Sequence, residues 1–279
     1  MGNRRDFLKA AGLGMAAAAL PHWSEASGTA TVGQKKAFGF QLGVASYSLR
    51  KFSQEEALDM TARCGVGRIC FKSMHLPLDS NQAAIQDGLD LCQKKGITLY
   101  GGGVIYMRSK ADVDQAFEYA RMAKMDMIVG VPNHELLDYV EEKVKAYDIK
   151  LAIHNHGPGD KLYPSAESAY RLIKDRDKRM GLCVDIGHTK RINREPARDV
   201  KNFFDRVHDI HIKDVTAAEA DGKTCIVGRG VIDMPAFLSV VIDLGYQGTL
   251  ALEYEADADD PLPGMMESFG YVKGVLATI

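Results

Sequence analysis

Eight short apolar or β-branched runs alternate with longer amphipathic stretches from Gln41 to the end of this chain. Strict alternation of this kind implies a parallel sheet, because a parallel connection needs a crossover long enough to hold a helix. The predicted strands are 41–47, 68–72, 98–102, 127–131, 151–155, 181–185, 207–213 and 249–254. The predicted helices are 53–64, 81–95, 110–122, 135–147, 166–174, 196–204, 234–244 and 264–276. Ser53 with Glu56 reads as a capping box, Pro196 stands where a first helical turn tolerates it, and Gly65, Gly96 and Gly245 stand where helices end. Eight such units, without a spaced-glycine phosphate fingerprint after the first, favour a closed (β/α)8 TIM barrel over an open doubly wound sheet. Gly101-Gly102-Gly103 lacks that spacing and is expected to form a tight loop after the third strand. No linker divides the barrel, so residues 31–279 are expected to be a single domain.

The first 30 residues read as an address. Arg4-Arg5 precedes an Ala-rich apolar stretch from Ala10 to Leu20, the pattern of a twin-arginine export signal. That stretch is about half the length of a membrane span, so stable insertion is not expected. Cleavage after Ala26 or Ala30 would leave about 250 residues, the usual barrel size, and the expected location is the periplasm. The five cysteines, Cys64, Cys70, Cys92, Cys183 and Cys225, are odd in number and widely spaced, which argues against a disulfide framework.

Four of the later strands end in polar residues: His154, Asp185, His211 and Glu253. A buried strand does not end in a charge without a partner, because an unpaired buried charge is costly. Two imidazoles and two carboxylates converging on the C-terminal rim of a barrel form a first shell for one divalent metal ion. Mn or Zn suits the mixed shell, with Co, Fe or Mg compatible. Strand periodicity places Lys213 nearer the rim than His211 and Asp209 deeper, all on one face. His156 shares a face with His154, and Glu255 with Glu253, which makes both candidates for contact with substrate. The second strand ends at Lys72 with His75 just beyond, a possible general base or oxygen clamp facing the metal. Tyr47 is a candidate wall of the same pocket. The net charge of −2 gives no reason to expect a nucleic acid partner.

With these residues in place, the chain resembles the sugar phosphate isomerase/epimerase-like superfamily of xylose isomerase-like TIM barrels. The resemblance rests on Ile153-His154-Asn155-His156, Asp185-Ile-Gly-His188, His211-Ile-Lys-Asp214, Gly228-Arg229-Gly230 with Asp233, and Leu252-Glu253, in that order. It implies the same metal quartet, a substrate-contacting role for His188 and Arg229, and Glu253 as a catalytic group. His154 departs from the pattern: sugar epimerases of this superfamily usually place a glutamate there and use two metal-bound glutamates as an acid/base pair. Here only Glu253 remains, which points to a one-base variant.

The expected function is therefore a metal-dependent isomerase or epimerase that removes a proton next to a carbonyl of a carbohydrate through a stabilised enediolate. A keto-sugar or keto-glycoside lyase or hydratase of the same fold is the alternative. An endonuclease-IV-like enzyme would need a multi-zinc cluster and a basic surface, and a non-catalytic sugar-binding barrel would not need the ligands. The expected partner is a small carbohydrate, and the sequence leaves the oligomeric state open.

Overall fold

The computed structural model describes residues 38–279; the arginine pair, the apolar stretch and the cleavage region lie outside the described residues. Eight parallel strands close in the order β1-β10-β7-β6-β5-β4-β3-β2. They are β1 (Gln41–Ala45), β2 (Arg68–Phe71), β3 (Thr98–Met107), β4 (Met127–Pro132), β5 (Lys150–His154), β6 (Met180–Asp185), β7 (Val207–Ile212) and β10 (Thr249–Leu252). A two-stranded antiparallel ribbon, β8 (Asp214–Val215) with β9 (Thr224–Cys225), follows β7. The helices are α1 (Gln54–Arg63), α2 (Gln82–Lys94), α3 (Lys110–Met122), α4 (Leu137–Tyr147), α5 (Ala166–Ile173), α6 (Ile186–Arg191), α7 (Pro196–Asn202), α8 (Met234–Asp243) and α9 (Pro261–Leu276).

Local chemistry sets these boundaries. Ser53 and Glu56 make the capping box that starts α1, and Gly65, Gly96 and Gly245 follow their helices with φ of +66° to +68°. The main apolar layer lies between barrel and helices and includes Leu58, Ile85, Phe117, Val140, Phe237 and Phe269, all buried. Inside the barrel the residues are smaller: Ala45, Cys70, Ala152, Cys183 and Ala251 pack around Tyr100 and Met127. All five cysteines are free thiols, and burial pushes those of Cys70 and Cys183 well above the ordinary range.

One local expectation is corrected, and two elements appear that the strand–helix count did not include. Gly101-Gly102-Gly103 is not a loop but the middle of β3, which runs on to Met107. A side chain at Gly101 would meet the Met127 carbonyl at 2.9 Å, and one at Gly103 the Val129 side chain at 2.6 Å. The glycines let β3 and β4 approach, and the register shift between Gly102 and Ile105 carries the strand outward. Secondly, α6 begins directly at the end of β6, because Asp185 accepts the backbone N–H of His188 and caps it. Thirdly, the segment after β7 folds into the β8–β9 ribbon.

Candidate active site

The C-terminal rim brings the four strand-end residues together. Asp185 and His211 are lateral neighbours in the β6–β7 register, and the backbone N–H of Glu253 donates to Ile212 at 3.0 Å just beyond β10. His154 Nε2 lies 3.2 Å from His211 Nδ1, 3.6 Å from Asp185 Oδ2 and 3.9 Å from Glu253 Oε2. His211 Nδ1 is 3.5 Å from Glu253 Oε2. Donors around a divalent ion at about 2.0–2.2 Å stand roughly 3–3.5 Å apart, so four atoms at these separations outline a coordination shell. Asp185 Oδ2 is buried and faces the quartet, with the Lys213 ammonium 3.0 Å away as its only close cation among the described residues. The quartet fits a divalent cation.

Electrostatics prepare the same set. Burial pushes His154 down to about 4, so its imidazole is neutral as a ligand must be. Burial also pulls on His211, but the Glu253 carboxylate beside it holds that ring above its ordinary value. The two facing nitrogens, 3.2 Å apart, cannot both carry a proton. Burial pushes Asp185 and Glu253 upward, yet the Lys213 ammonium together with the neighbouring rings, His188 for one and His211 for the other, outweighs it; both carboxyls stay well below the usual range. Lys213 is itself fully buried, with Nζ 3.0 Å from Asp185, 2.9 Å from Glu253 and 2.5 Å from Glu255. Its stem crosses Gly187, where any side chain would meet Lys213 Cγ at 2.6 Å.

A cavity of about 300 Å³ opens above the quartet. Tyr47, Lys72, His156, His188 and Glu255 line it together with His154 and Glu253. His156 is hydrogen-bonded to the Tyr106 hydroxyl at 3.1 Å and stacks on that ring at 5.7 Å. Burial, reinforced by Lys213, pushes His188 down to about 4 against the pull of Asp185. Lys72 sits just after β2, which is diametrically opposite β6 in the ring of strands. Its ammonium donates to the Val104 carbonyl at 3.0 Å, and burial lowers its pKa.

Three of the expected residues do not line this cavity: Lys213 is buried among Asp185, Glu253 and Glu255, and His75 and Arg229 are held elsewhere. His75 is buried with both ring nitrogens occupied, Nδ1 against Ser46 Oγ at 2.9 Å and Nε2 against the Leu49 carbonyl at 3.1 Å. Arg229 points outward and grips Glu267 through Nε at 2.6 Å and Nη2 at 2.9 Å. The loop around it is instead organised by Asp214. One carboxylate oxygen accepts from the backbone N–H groups of Gly228 and Gly230, the other from those of Val215 and Ile232. Asp209 lies beneath His211, 3.7 Å from its Nε2, and accepts from Tyr100 at 3.1 Å; burial raises it to about 6.

A family model described as the xylose isomerase-like TIM barrel matches residues 65–274, three-quarters of the chain. The chain belongs to this xylose isomerase-like family. A second model, the twin-arginine translocation signal sequence, matches residues 3–21. Among curated proteins the chain is similar to the rhizopine catabolism protein MocC of Rhizobium meliloti, 26% identical over 145 residues, covering 47% of this chain and 44% of that protein. It is also similar to an inosose dehydratase of Lacticaseibacillus casei, 23% identical over 136 residues, covering 43% and 45%. The matched region thus spans less than half of either relative. Among solved structures, the 3-keto-D-glucoside 4-epimerase of Escherichia coli aligns with a TM-score of 0.69 at 14% identity, covering 84% of this chain and 99% of that one. At that identity the likeness shows the shared fold of the xylose isomerase-like barrels.

Reading the sequence alone misses three residues around the site. Asn155 points away from the cavity, accepts from the Asp185 backbone N–H at 3.0 Å and donates to its carbonyl at 3.2 Å, which fixes the strand end that presents the Asp185 carboxylate. Its signal was its place between His154 and His156, on the opposite strand face. Tyr106 was hidden by reading the triple glycine as the end of β3. Asp214 was visible only within the run His211-Ile-Lys-Asp214, and its role depends on the ribbon that returns to it.

Proposed function

We propose that this chain is a metal-dependent enzyme that removes a proton from the carbon next to the carbonyl of a keto-sugar, with isomerisation or epimerisation as the outcome. The observation carrying this is the buried His154–Asp185–His211–Glu253 quartet, set at ligand separations under a polar cavity of sugar size. A divalent ion held there would polarise the carbonyl and a neighbouring hydroxyl oxygen and acidify the C–H between them. Mn or Zn suits two imidazoles and two carboxylates, with Co, Fe or Mg compatible.

The protein's own groups divide the remaining work. Lys72 is the favoured base, because it reaches the cavity and burial lowers its proton affinity toward the useful range. Glu253 is less free to act, since Lys213 Nζ donates to its Oε2 at 2.9 Å. Glu255, fixed by Lys213 behind it, holds substrate hydroxyls at the rim, and His188 and His156 offer neutral imidazoles for the same purpose. The buried Asn155 and Gly187 keep Asp185 and Lys213 in place.

Elimination is the second reading, with the same first step followed by loss of a group from the next carbon. The specific observation favouring it is His154 at the position of a second metal-bound carboxylate, since elimination does not need an acid and a base on opposite faces. The inosose dehydratase similarity points the same way. Incubation of the metal-loaded protein with keto-hexoses and keto-glycosides in deuterated water separates the readings. Deuterium at one carbon of intact substrate supports isomerase chemistry, whereas release of water or an aglycone supports elimination. With no exchange and no release of a group from any of them, both readings would fall.

The place of action is proposed to be the periplasm, reached in folded form through the twin-arginine signal. Arg4→Lys with Arg5→Lys is expected to hold active protein in the cytoplasm; fractionation that still finds it in the envelope would refute the route. Among the described residues no helix is long and apolar enough to cross a membrane.

A further inference from the structure

A second cavity of about 370 Å³ adjoins the one above the metal quartet. The two share a wall made by Lys72, Val104 and Tyr106. The outer cavity adds Ser73, Leu78, Arg108 and Asp112, none of which belongs to the inner one. Small-molecule sites run from about 300 to 1,000 Å³, so the inner cavity alone is at the small end and the pair is mid-range.

The shared wall has the features of a ring-binding platform. Tyr106 is 45% exposed, unusual for a large aromatic on a barrel strand, and His156 holds it from the inner side by a hydrogen bond and by stacking. Arg108 lies over the Tyr106 ring, 5.6 Å from its centre. Among the described residues its guanidinium pairs with no carboxylate and makes its contact with the Tyr106 ring, which leaves N–H donors at its edge. A half-exposed aromatic ring carrying a guanidinium that pairs with no carboxylate, with the Ser73 hydroxyl in the same cavity, suits an apolar ring face with polar edges, which is the chemistry of a second sugar ring.

We infer that the substrate is a two-ring glycoside: the reacting keto-sugar ring lies over the quartet, and the group bonded to it lies in the outer cavity against Tyr106 and Arg108. This rests on the reading of the inner cavity as the place where a keto-sugar reacts. It selects glycosides over free monosaccharides as the substrate class.

Calorimetric titration of the manganese-loaded protein with glucose, cellobiose and phenyl β-glucoside tests it. Cellobiose and the phenyl glycoside are expected to bind at least tenfold more tightly than glucose. Ser73→Trp, which fills the outer cavity from an exposed position, and Arg108→Ala are expected to erase that difference and leave glucose affinity unchanged. Equal affinity for one-ring and two-ring probes, no binding of any probe, or an equal loss for all three in the variants would overturn the inference. Exchange of deuterium into a keto-monosaccharide without any two-ring preference would overturn this inference while sparing the proposed chemistry. Two-ring preference without exchange into any keto-sugar would uphold the outer site and reject the chemistry.

Discussion

The Lys213 ammonium lies 2.9 Å from Glu253, a carboxylate that also belongs to the quartet proposed to hold a metal. The same ammonium touches Asp185 and Glu255, so three carboxylates share one buried cation. With both imidazoles neutral, as coordination requires, the group carries two net negative charges (three minus one), and a divalent ion neutralises it. Lys213→Met is therefore expected to destabilise the chelator-treated protein by about 3–5 kcal/mol, since it strands buried carboxylates. Excess manganese is expected to restore most of the loss. Thermal unfolding with and without metal checks this; a loss of equal size in both states would mean that Lys213 is a packing residue and not part of the charge balance.

Asp185 does two jobs with its two oxygens. Oδ1 accepts the His188 N–H at 2.7 Å and starts α6, while Oδ2 faces His154. Asparagine keeps the cap and loses the charge; alanine loses both. Both variants are expected to bind metal far below one ion per chain by elemental analysis. In chelator, Asp185→Ala is expected to be about 1 kcal/mol less stable than Asp185→Asn. Metal content unchanged in Asp185→Asn would remove Asp185 from the shell.

The barrel was legible because parallel strands buried on both faces read as continuous apolar runs, and the quartet was legible because such runs rarely end in charge. What escaped was the identity of the partners. His75 has the same residue type and nearly the same rim position as a catalytic histidine, yet Ser46 and Leu49 satisfy both its nitrogens. Arg229 sits in a motif with Gly228 and Gly230, but the motif's polar work is done by Asp214, which turns the arginine outward to Glu267. In each case a local pattern gave the residue's place along the chain, and a distant segment decided what it touches. The length of β3 was lost for a similar reason, since three glycines read as a turn unless β4 is known to pack against them.

His75 also gives a pH signature. Burial holds its folded pKa below the ordinary 6.5, against the pull of the Leu49 carbonyl. Its neutral ring accepts from Ser46 Oγ–H and donates to Leu49, an arrangement that protonation breaks. The unfolded chain therefore binds a proton that the folded chain refuses: His75's contribution is fully present above pH 6.5 and is lost as pH falls below it. His75→Gln is expected to flatten the decline of stability from pH 7 to pH 5, by no more than about 1.4 kcal/mol per pH unit. Denaturant titrations of both proteins across that range check it. Identical slopes would mean that His75 titrates alike in both states.

Lys72 carries the most exposed claim about chemistry. It touches none of the metal quartet within ion-pairing distance, and its one hydrogen bond goes to a backbone carbonyl, so its removal should leave coordination intact. Lys72→Met is expected to lower turnover by ~10²–10⁴ with metal content unchanged, and to stop solvent deuterium entering the substrate carbon. His154→Glu probes the other side of the same argument, because it supplies the second metal-facing carboxylate. That variant is expected to retain metal and to gain exchange in the Lys72→Met background, as a carboxylate takes over the proton. If Lys72→Met exchanged deuterium at the wild-type rate, the base would be Glu253. Loss of metal from His154→Glu, measured in the same preparations, would show that coordination and not proton transfer demands the imidazole.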